Sequence, residues 1–349
     1  MDFETYREKF VTLAEKDHMP EEYIQHCLEY AKPLLDRGFP VIYDDEHFSR
    51  LVGIDLYFLY KMAFGSKRFY RYFTIPKKSG KRRKIAEPLP MLKDVQHFIL
   101  REILLKEPCD PCSKAYKPGA SLKGNARFHR GQPVLLKLDI EDYFPSLHVS
   151  RVYRLFRDFG YSKSVSSLLA KLCTLRASLP QGAPTSPYLS NLLTKGLDRD
   201  IYSYCRENGQ LRYTRYADDI AISGNFNPAA VIPAVAHIID SHGLRINRSK
   251  THVIRAQARQ VVTGVVVNQT LQAPKDYRRA IRLEMHYCEK YGIEDHLRHG
   301  RSLETDPLRF CQSMLGKVNY CLQLNSNDRM MRHYRTYLLE QFSRLAARR

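Results

Sequence analysis

The 349-residue sequence has no apolar run long enough to span a membrane and no basic amphipathic segment with an anchor. Its first residues also lack a signal-peptide pattern, so we expect a cytoplasmic protein that does not engage membranes. The eight cysteines are then expected to be reduced. Cys109 and Cys112 form a Cys-x-x-Cys pair, but no second pair follows at zinc-finger spacing, and we interpret this segment as a loop.

Negative charge is also scarce. The sequence contains 56 Lys and Arg against 37 Asp and Glu, which gives a formal charge of +19. Basic residues are concentrated in clusters such as residues 77–84, which predicts a polyanionic partner. Because no membrane anchor accompanies this charge, nucleic acid is favoured over a membrane surface. A hydrophobic content of 44% is sufficient for two or three lobes with proper cores.

Helical spacing of apolar residues predicts helices over residues 1–65, from 91 to 106, and over most of 275–349. Residues 69–85 instead have a β-prone pattern that is interrupted by a basic turn at Ser79 and Gly80. This pattern predicts a hairpin whose cations are suited to phosphates. A solvated charged turn is the alternative.

The acidic segment with the clearest chemistry is Tyr216-Ala-Asp-Asp219, which lies between two predicted strands. This arrangement predicts a hairpin with Asp218 and Asp219 at its tip. Two adjacent carboxylates repel each other, and a divalent cation between them relieves the repulsion. A polar hairpin turn without a metal is the alternative for the tetrapeptide taken alone.

A third carboxylate, Asp139, lies near the end of the apolar strand predicted over 134–140. A carboxylate inside such a strand is costly unless it is paired or bound to metal. If the two segments are neighbours in one sheet, Asp139 meets Asp218 and Asp219. Three such carboxylates suit two Mg²⁺ ions in phosphoryl transfer, with Mn²⁺ as a substitute.

Between these acidic segments, Gly182 lies in a loop flanked by Pro180 and Pro184, and Thr185 or Ser186 can cap the helix that follows. We expect loop amides, hydroxyl groups and Gln181 to line a nucleotide pocket. A simple helix cap is the alternative.

The order of these motifs resembles that of a reverse transcriptase: basic hairpin, Asp139 strand, Leu179-Pro-Gln-Gly182 loop, Tyr-Ala-Asp-Asp hairpin, and Gly243 to Lys250. Two further segments resemble the bacterial retron branch, which is related to group II intron enzymes. These are Asn125-Ala-Arg-Phe-His129 and Val262-Thr-Gly264. The resemblance covers roughly residues 50–325 and leaves the first helices without an assigned role.

The resemblance implies an α+β right-hand polymerase with fingers, an antiparallel palm sheet that carries the Asp triad, and a helical thumb. The expected divisions are an N-terminal helical extension over 1–65, fingers and palm over 66–255, and a thumb with an RNA-recognition region over 256–349. The metal site is then expected at Asp139, Ile140, Asp218 and Asp219, with the three aspartates as catalytic residues.

The same resemblance implies roles for other side chains. Arg83 with Lys77 or Lys78 would hold the triphosphate, Gln181 would pack beside the nucleotide, and Lys250 would lie near pyrophosphate. Phe144 corresponds to an aromatic residue that excludes a 2′-hydroxyl, which favours deoxynucleotides. Without the resemblance, a phenylalanine such as Phe144 is more often a core residue than a gate. The alternative for Lys250 is a solvated helix end. The residues expected to bind RNA are Asn125, His129, Thr263, Gly264, Arg278, Arg279 and Arg282.

The implied function is copying of a dedicated structured non-coding RNA into single-stranded DNA that stays joined to that RNA. The implied partners are this RNA and its cDNA, deoxynucleoside triphosphates, and an effector protein in phage defence. The alternatives are an RNA-binding scaffold with a decayed site, a palm-type nucleotide cyclase, and another bacterial reverse transcriptase. Intact acidic residues disfavour the scaffold, while a basic hairpin and thumb disfavour the cyclase.

Overall fold

The computed structural model describes residues 2–76, 80, 82–299 and 304–347. Helices and antiparallel strands occupy largely separate stretches of this chain, as expected for an α+β protein. The helices are α1 (Phe3–Lys16), α2 (Glu21–Asp36), α3 (Asp45–Val52), α4 (Leu56–Phe64), α5 (Pro90–Phe98), α6 (Leu122–Ala126), α7 (Val149–Phe159), α8 (Lys163–Cys173), α9 (Ser186–Leu193), α10 (Lys195–Glu207), α11 (Pro228–Ser241), α12 (Lys275–Tyr291), α13 (Ile293–His299), α14 (Pro307–Leu324) and α15 (Arg329–Ala346). The strands are β1 (Tyr70–Pro76), β2 (Arg82–Pro88), β3 (Val134–Asp139), β4 (Arg212–Tyr216), β5 (Asp219–Gly224), β6 (His252–Arg255), β7 (Val261–Val262) and β8 (Val265–Val266).

The chain separates into two compact units, each assembled from discontinuous stretches. The first contains the residues up to Pro118 together with Ile140–Tyr202 and Pro233–Asn247. The second contains Gly119–Asp139, Ser203–Ile232 and Arg248–Arg349. The divisions expected after residues 65 and 255 remain predictions.

The first unit begins with the helices expected before residue 65. Three of these helices start at an aspartate whose carboxylate accepts a backbone N–H of the first turn, and these aspartates are Asp2, Asp44 and Asp55. Such caps satisfy N–H groups that have no partner inside the helix. The basic hairpin follows, with β1 and β2 antiparallel and in register from Tyr70 opposite Pro88 to Pro76 opposite Arg82.

The second unit contains a four-stranded antiparallel sheet in the order β4-β5-β3-β6. The central strand β3 is buried along nearly all its length, which explains its nearly continuous apolar sequence. A hydrophobic core joins this sheet to the C-terminal helices, with Leu135 and Ala221 from the sheet and Met285, Met314 and Leu338 from the helices. No helix among the described residues is both long and apolar enough to cross a bilayer.

Candidate active site

The predicted acidic hairpin is formed by β4 and β5 in the second unit. Ala217 and Asp218 connect the strands, and Tyr216 is opposite Asp219. Ala217 adopts a left-handed conformation with φ of 59°, which is unfavourable for an L-residue. The buried guanidinium of Arg215 donates a hydrogen bond of 3.0 Å to the Ala217 carbonyl. Arg215 therefore stabilises the turn that presents the two aspartates.

Asp139 lies at the end of β3 and is the direct cross-strand neighbour of Asp219. Directly opposed residues of antiparallel strands have Cα atoms about 4.5–5.5 Å apart, so the two carboxylates share one edge of the sheet. Asp139 is buried, and its Oδ2 accepts a hydrogen bond of 2.7 Å from the ammonium of Lys250. This contact raises the pKa of Lys250, so its cationic form is favoured. The sequence placed Lys250 near pyrophosphate, whereas here it neutralises a member of the triad.

Asp219 lies in an electrostatic environment that suits a cation. Loss of hydration raises the pKa of its carboxyl group, and the charges of Asp218 and Asp139 add to this effect. Three crowded oxygen donors of like charge are the ligand set that hard divalent cations prefer. The residues therefore fit such an ion chemically. Within the part of the chain that the structure describes, however, no three acidic, His or Cys side chains are already arranged around a metal position.

Ile140 follows Asp139 directly and was included in the predicted metal site. Its side chain is buried, and its backbone forms an antiparallel bridge with Ile246 in the first unit. The next residue, Glu141, donates its N–H to Arg245 O at 2.8 Å. The chain that follows β3 is therefore fixed by backbone hydrogen bonds, and the predicted role of Ile140 in the metal site stays a prediction.

Two of the predicted nucleotide-binding segments are neighbours in the first unit. Arg83 is on β2, and further along this strand Ala86 donates its N–H to the carbonyl of Gln181 at 2.8 Å. Gly182 has φ of +126°, and a Cβ at this position would approach the Ala86 carbonyl oxygen to 2.7 Å. Only glycine allows so close an approach of the loop to the strand. Lys77 and Lys78 lie outside the described residues.

Phe144 is half-buried in the first unit beside two tyrosines. Its ring centroid is 5.5 Å from that of Tyr143 and 6.3 Å from that of Tyr116. Tyr143 is buried, and its hydroxyl donates to Ser190 O on α9. A ring supported in this way has restricted freedom, which a steric gate requires.

Asn125 and His129, two of the expected RNA contacts, are buried in the second unit. The His129 ring nitrogens lie 2.7 Å from Ser223 Oγ and 2.8 Å from Thr214 Oγ1, and the Thr214 hydroxyl donates to Asn125 Oδ1 at 2.6 Å. Burial lowers the pKa of His129 to about 3, so the imidazole is neutral. In this structure His129 connects β4 to β5, and Asn125 connects β4 to Thr263. Both side chains are buried among protein partners, and their expected contact with RNA stays a prediction.

Thr263 and Gly264 form the two-residue turn between β7 and β8. Both have positive φ, 46° and 84°, as the tight turn of a hairpin requires. Gly264 is exposed, while the Thr263 hydroxyl accepts a hydrogen bond of 3.3 Å from Asn125 Nδ2. This hydrogen bond therefore joins the two retron-like segments at the turn, although they are more than 130 residues apart in the sequence.

The three arginines expected to bind RNA are all on α12. Arg279 is exposed, Arg282 is half-buried, and Arg278 donates its Nε–H to Ala273 O at 3.2 Å.

Sequence patterns did not identify Thr214, Ser223 or Arg215 as important. One feature of the sequence could have identified them: each is a polar or charged residue within an otherwise apolar or aromatic strand, and such a residue needs a hydrogen-bonding partner if it is buried.

Comparison with known proteins identifies the family. The family described as reverse transcriptase (RNA-dependent DNA polymerase) matches residues 75–279. The chain is 35% identical over 273 residues to Retron Ec86 reverse transcriptase of Escherichia coli, covering 76% of this chain and 85% of that protein. It is 34% identical over 287 residues to Retron Mx65 reverse transcriptase of Myxococcus xanthus, and the match covers 75% of this chain and 67% of that protein. Among solved structures, telomerase from Candida albicans with a TWJ fragment of telomeric RNA aligns with a TM-score of 0.43 at 10% identity, covering 77% of this chain and 54% of that chain.

The family match confirms the predicted α+β class of a right-hand polymerase and the predicted polymerase activity. A match at this level over three quarters of the chain leaves no basis for a palm-type cyclase. The chain belongs to the family of bacterial retron reverse transcriptases and is an RNA-directed DNA polymerase.

Proposed function

We propose that this enzyme copies one dedicated structured RNA into single-stranded DNA that remains joined to that RNA through a 2′-branch, the product called msDNA. The observation that carries the proposal is the joining of the two retron-like segments, through Asn125 and Thr263, to the strands that present the catalytic aspartates. A general polymerase needs only phosphate contacts along a duplex, whereas a dedicated one must also recognise the shape of its RNA.

Divalent metal ions serve the reverse transcriptase family, and we propose two Mg²⁺ ions, with Mn²⁺ as a substitute. Asp139, Asp218 and Asp219 would hold them, with Ile140 contributing to the site. When bound, the metal supplies charge stabilisation for in-line attack on the α-phosphate of the nucleotide. The β4-β5 turn and Arg215 position the aspartates for this role.

For the nucleotide, we propose that Arg83, together with Lys77 or Lys78, binds the triphosphate of the incoming deoxynucleotide. Gln181 packs beside this nucleotide, and its loop is held against β2 by the Ala86 hydrogen bond. Phe144 rejects ribonucleotides by steric exclusion of the 2′-hydroxyl. Lys250, which contacts Asp139 in the structure, would lie near the departing pyrophosphate.

For the RNA, we propose recognition at the Thr263–Gly264 turn and along α12 through Arg278, Arg279 and Arg282. The guanidinium group of the exposed Arg279 suits phosphate contacts, and a tight turn with an exposed glycine allows close approach of an RNA backbone. We further propose that an effector protein joins the complex in defence against phage. The predicted cytoplasmic location remains a prediction.

The test of dedicated RNA recognition is a pair of templates. Changing Thr263 and Gly264 together to bulky residues is expected to abolish synthesis on the native RNA, identified by sequencing nucleic acid that copurifies with the protein. Extension of an artificial primer on an unrelated template should remain. The matched control is Gly264→Asn, because asparagine tolerates a positive φ and no atom lies within 4 Å of a Cβ at this position.

Equal loss of synthesis on both templates would identify a structural role for the turn. Equal retention on both would place RNA recognition elsewhere in the protein.

A further inference from the structure

Helix α4 exposes aromatic side chains that no part of the proposed function uses. It buries Leu59, Met62 and Ala63, yet the opposite side carries Tyr57, Phe58, Tyr60 and Phe64, which are 59%, 44%, 38% and 65% exposed. A helix that is apolar on all sides is normally buried, and a contiguous exposed apolar patch marks a binding surface. We call these four side chains the α4 aromatic face.

Lysine side chains lie over the rings of this face. Lys61 Nζ is 4.0 Å from the ring centroid of Tyr57 and 6.0 Å from that of Phe58. Lys171, which comes from α8, places its Nζ 3.7 Å from the centroid of Phe64. Three of the four rings therefore have an ammonium group within cation–π distance. Lys67 and Arg68 follow in the next turn of chain and are exposed.

The pairing of rings with lysines favours nucleic acid over protein as the partner. Lysine is depleted at protein–protein interfaces, where tyrosine, phenylalanine and arginine are enriched. Sites for single-stranded nucleic acid instead combine aromatic rings, on which bases stack, with cations that follow the phosphates. The net charge of +19 supplies the long-range attraction for such a partner.

The four rings of the face come from a segment outside the range that matches the reverse transcriptase family, whereas Lys171 lies within that range. Tyr57 to Phe64 precede residues 75–279, which match the reverse transcriptase family. Along the helix these two residues are separated by about 10 Å, since each residue adds about 1.5 Å, and this length suits a few nucleotides. We propose that the α4 aromatic face binds unpaired nucleotides of RNA by base stacking, with Lys61 and Lys171 placed for the phosphates.

The sequence contains no tryptophan, which allows a direct test. Phe64→Trp gives the full-length protein one indole, at the C-terminal end of the face. Titration with an unstructured RNA oligonucleotide is expected to quench its emission in a saturable manner, because a stacked base quenches indole fluorescence. A fully paired duplex of the same length should leave the emission unchanged. The matched control is Tyr202→Trp, at an aromatic residue on α10 that is 43% exposed.

Alanine variants test the energetics without a reporter. Tyr57→Ala and Phe64→Ala are each expected to weaken binding of the unstructured RNA by about five-fold or more, the effect of one lost stacking partner. Extension of a primer paired to a template with an overhang of only one or two nucleotides should be unchanged. These assays do not depend on which RNA is the template, so their failure is distinguishable from failure of the dedicated-RNA proposal.

Unchanged emission of Phe64→Trp at RNA concentrations that saturate the protein would overturn the proposal. Equal quenching by the duplex would also overturn it, since base stacking requires unpaired nucleotides.

Discussion

Lys250 donates a hydrogen bond of 2.7 Å to Oδ2 of Asp139, so an ammonium neutralises the buried carboxylate of the candidate triad. The two residues are 111 positions apart in the sequence. A lysine amine and a divalent cation cannot both occupy the same face of one carboxylate oxygen. A metal ion bound at Oδ2 of Asp139 would therefore compete with Lys250 for the same oxygen.

The first prediction concerns this competition. Lys250→Met removes the competing cation, so Mn²⁺ affinity of the free protein, measured by calorimetry, is expected to rise. Lys250 is more than half exposed, so the gain should be small, about two- to five-fold. The extension rate should fall because the cation for pyrophosphate is lost. Lys250→Arg keeps the charge and is expected to leave Mn²⁺ affinity nearly unchanged; an equal gain in both variants would contradict the competition.

The second prediction concerns the two carboxylates of the hairpin. Asp218→Asn or Asp219→Asn should abolish primer extension with Mg²⁺, because an amide is a poor ligand for a hard cation, while the fold and RNA binding remain. Asp158→Asn, at an exposed position, serves as the control. If Asp218→Asn extends at the wild-type rate, the triad assignment is wrong.

The pH dependence at Asp219 follows from the direction of its pKa shift. The folded protein raises the pKa of Asp219, so the folded state holds this proton more tightly than the unfolded state. Proton binding at Asp219 therefore stabilises the folded state. This stabilisation is fully present below pH 3.8, and it is lost as pH rises through the pKa of Asp219 in the folded protein. Asp219→Asn is expected to unfold at a higher denaturant concentration than wild type at pH 7, and the difference should disappear near pH 3.5.

The third prediction concerns nucleotide choice at Phe144. Phe144→Val should increase incorporation of ribonucleotides relative to deoxynucleotides, because the selection depends on steric exclusion. Competition between the two nucleotide types in a primer-extension assay measures the ratio. Phe144→Tyr retains the ring and should retain the selection. An unchanged ratio in Phe144→Val with intact deoxynucleotide synthesis would falsify the gate role.

Sequence patterns predicted the parts of this protein in which apolar periodicity specifies the structure. The β4-β5 hairpin, the buried strand β3 and the helices predicted before and after them in the sequence lie within the expected ranges to within a few residues. The direct pairing of Asp139 with Asp219 was expected only on the condition that their strands were neighbours. Periodicity identifies which face of a strand is buried, but it does not identify the strand that pairs with it, because pairing partners come from distant segments of the sequence.

The polar interior could not be predicted in this way. His129 was expected to bind RNA because its segment resembles a retron signature, yet its side chain is buried. Its partners, Thr214 and Ser223, are about 90 residues away in the sequence. Burial of a polar group depends on such partners, and a single sequence does not specify them. The contact of Lys250 with Asp139 was missed for the same reason.

The last prediction tests the buried network through its pH dependence. His129→Gln is expected to destabilise the protein by about 2–4 kcal/mol at pH 7.5, because Ser223 and Thr214 lose hydrogen-bond partners inside the core. The folded state lowers the pKa of His129 to about 3, so wild-type stability falls as pH decreases below 6.5, where the unfolded chain gains a proton that the folded state does not bind. Glutamine does not titrate, and the variant lacks this loss. The difference in unfolding free energy between the two proteins should therefore shrink by about 2 kcal/mol between pH 7.5 and pH 5.

Urea denaturation at both pH values measures this difference, with His237→Gln at an exposed position as the control. A difference that is constant with pH would mean that His129 is protonated in the folded protein, and the neutral bridge between β4 and β5 would then be incorrect.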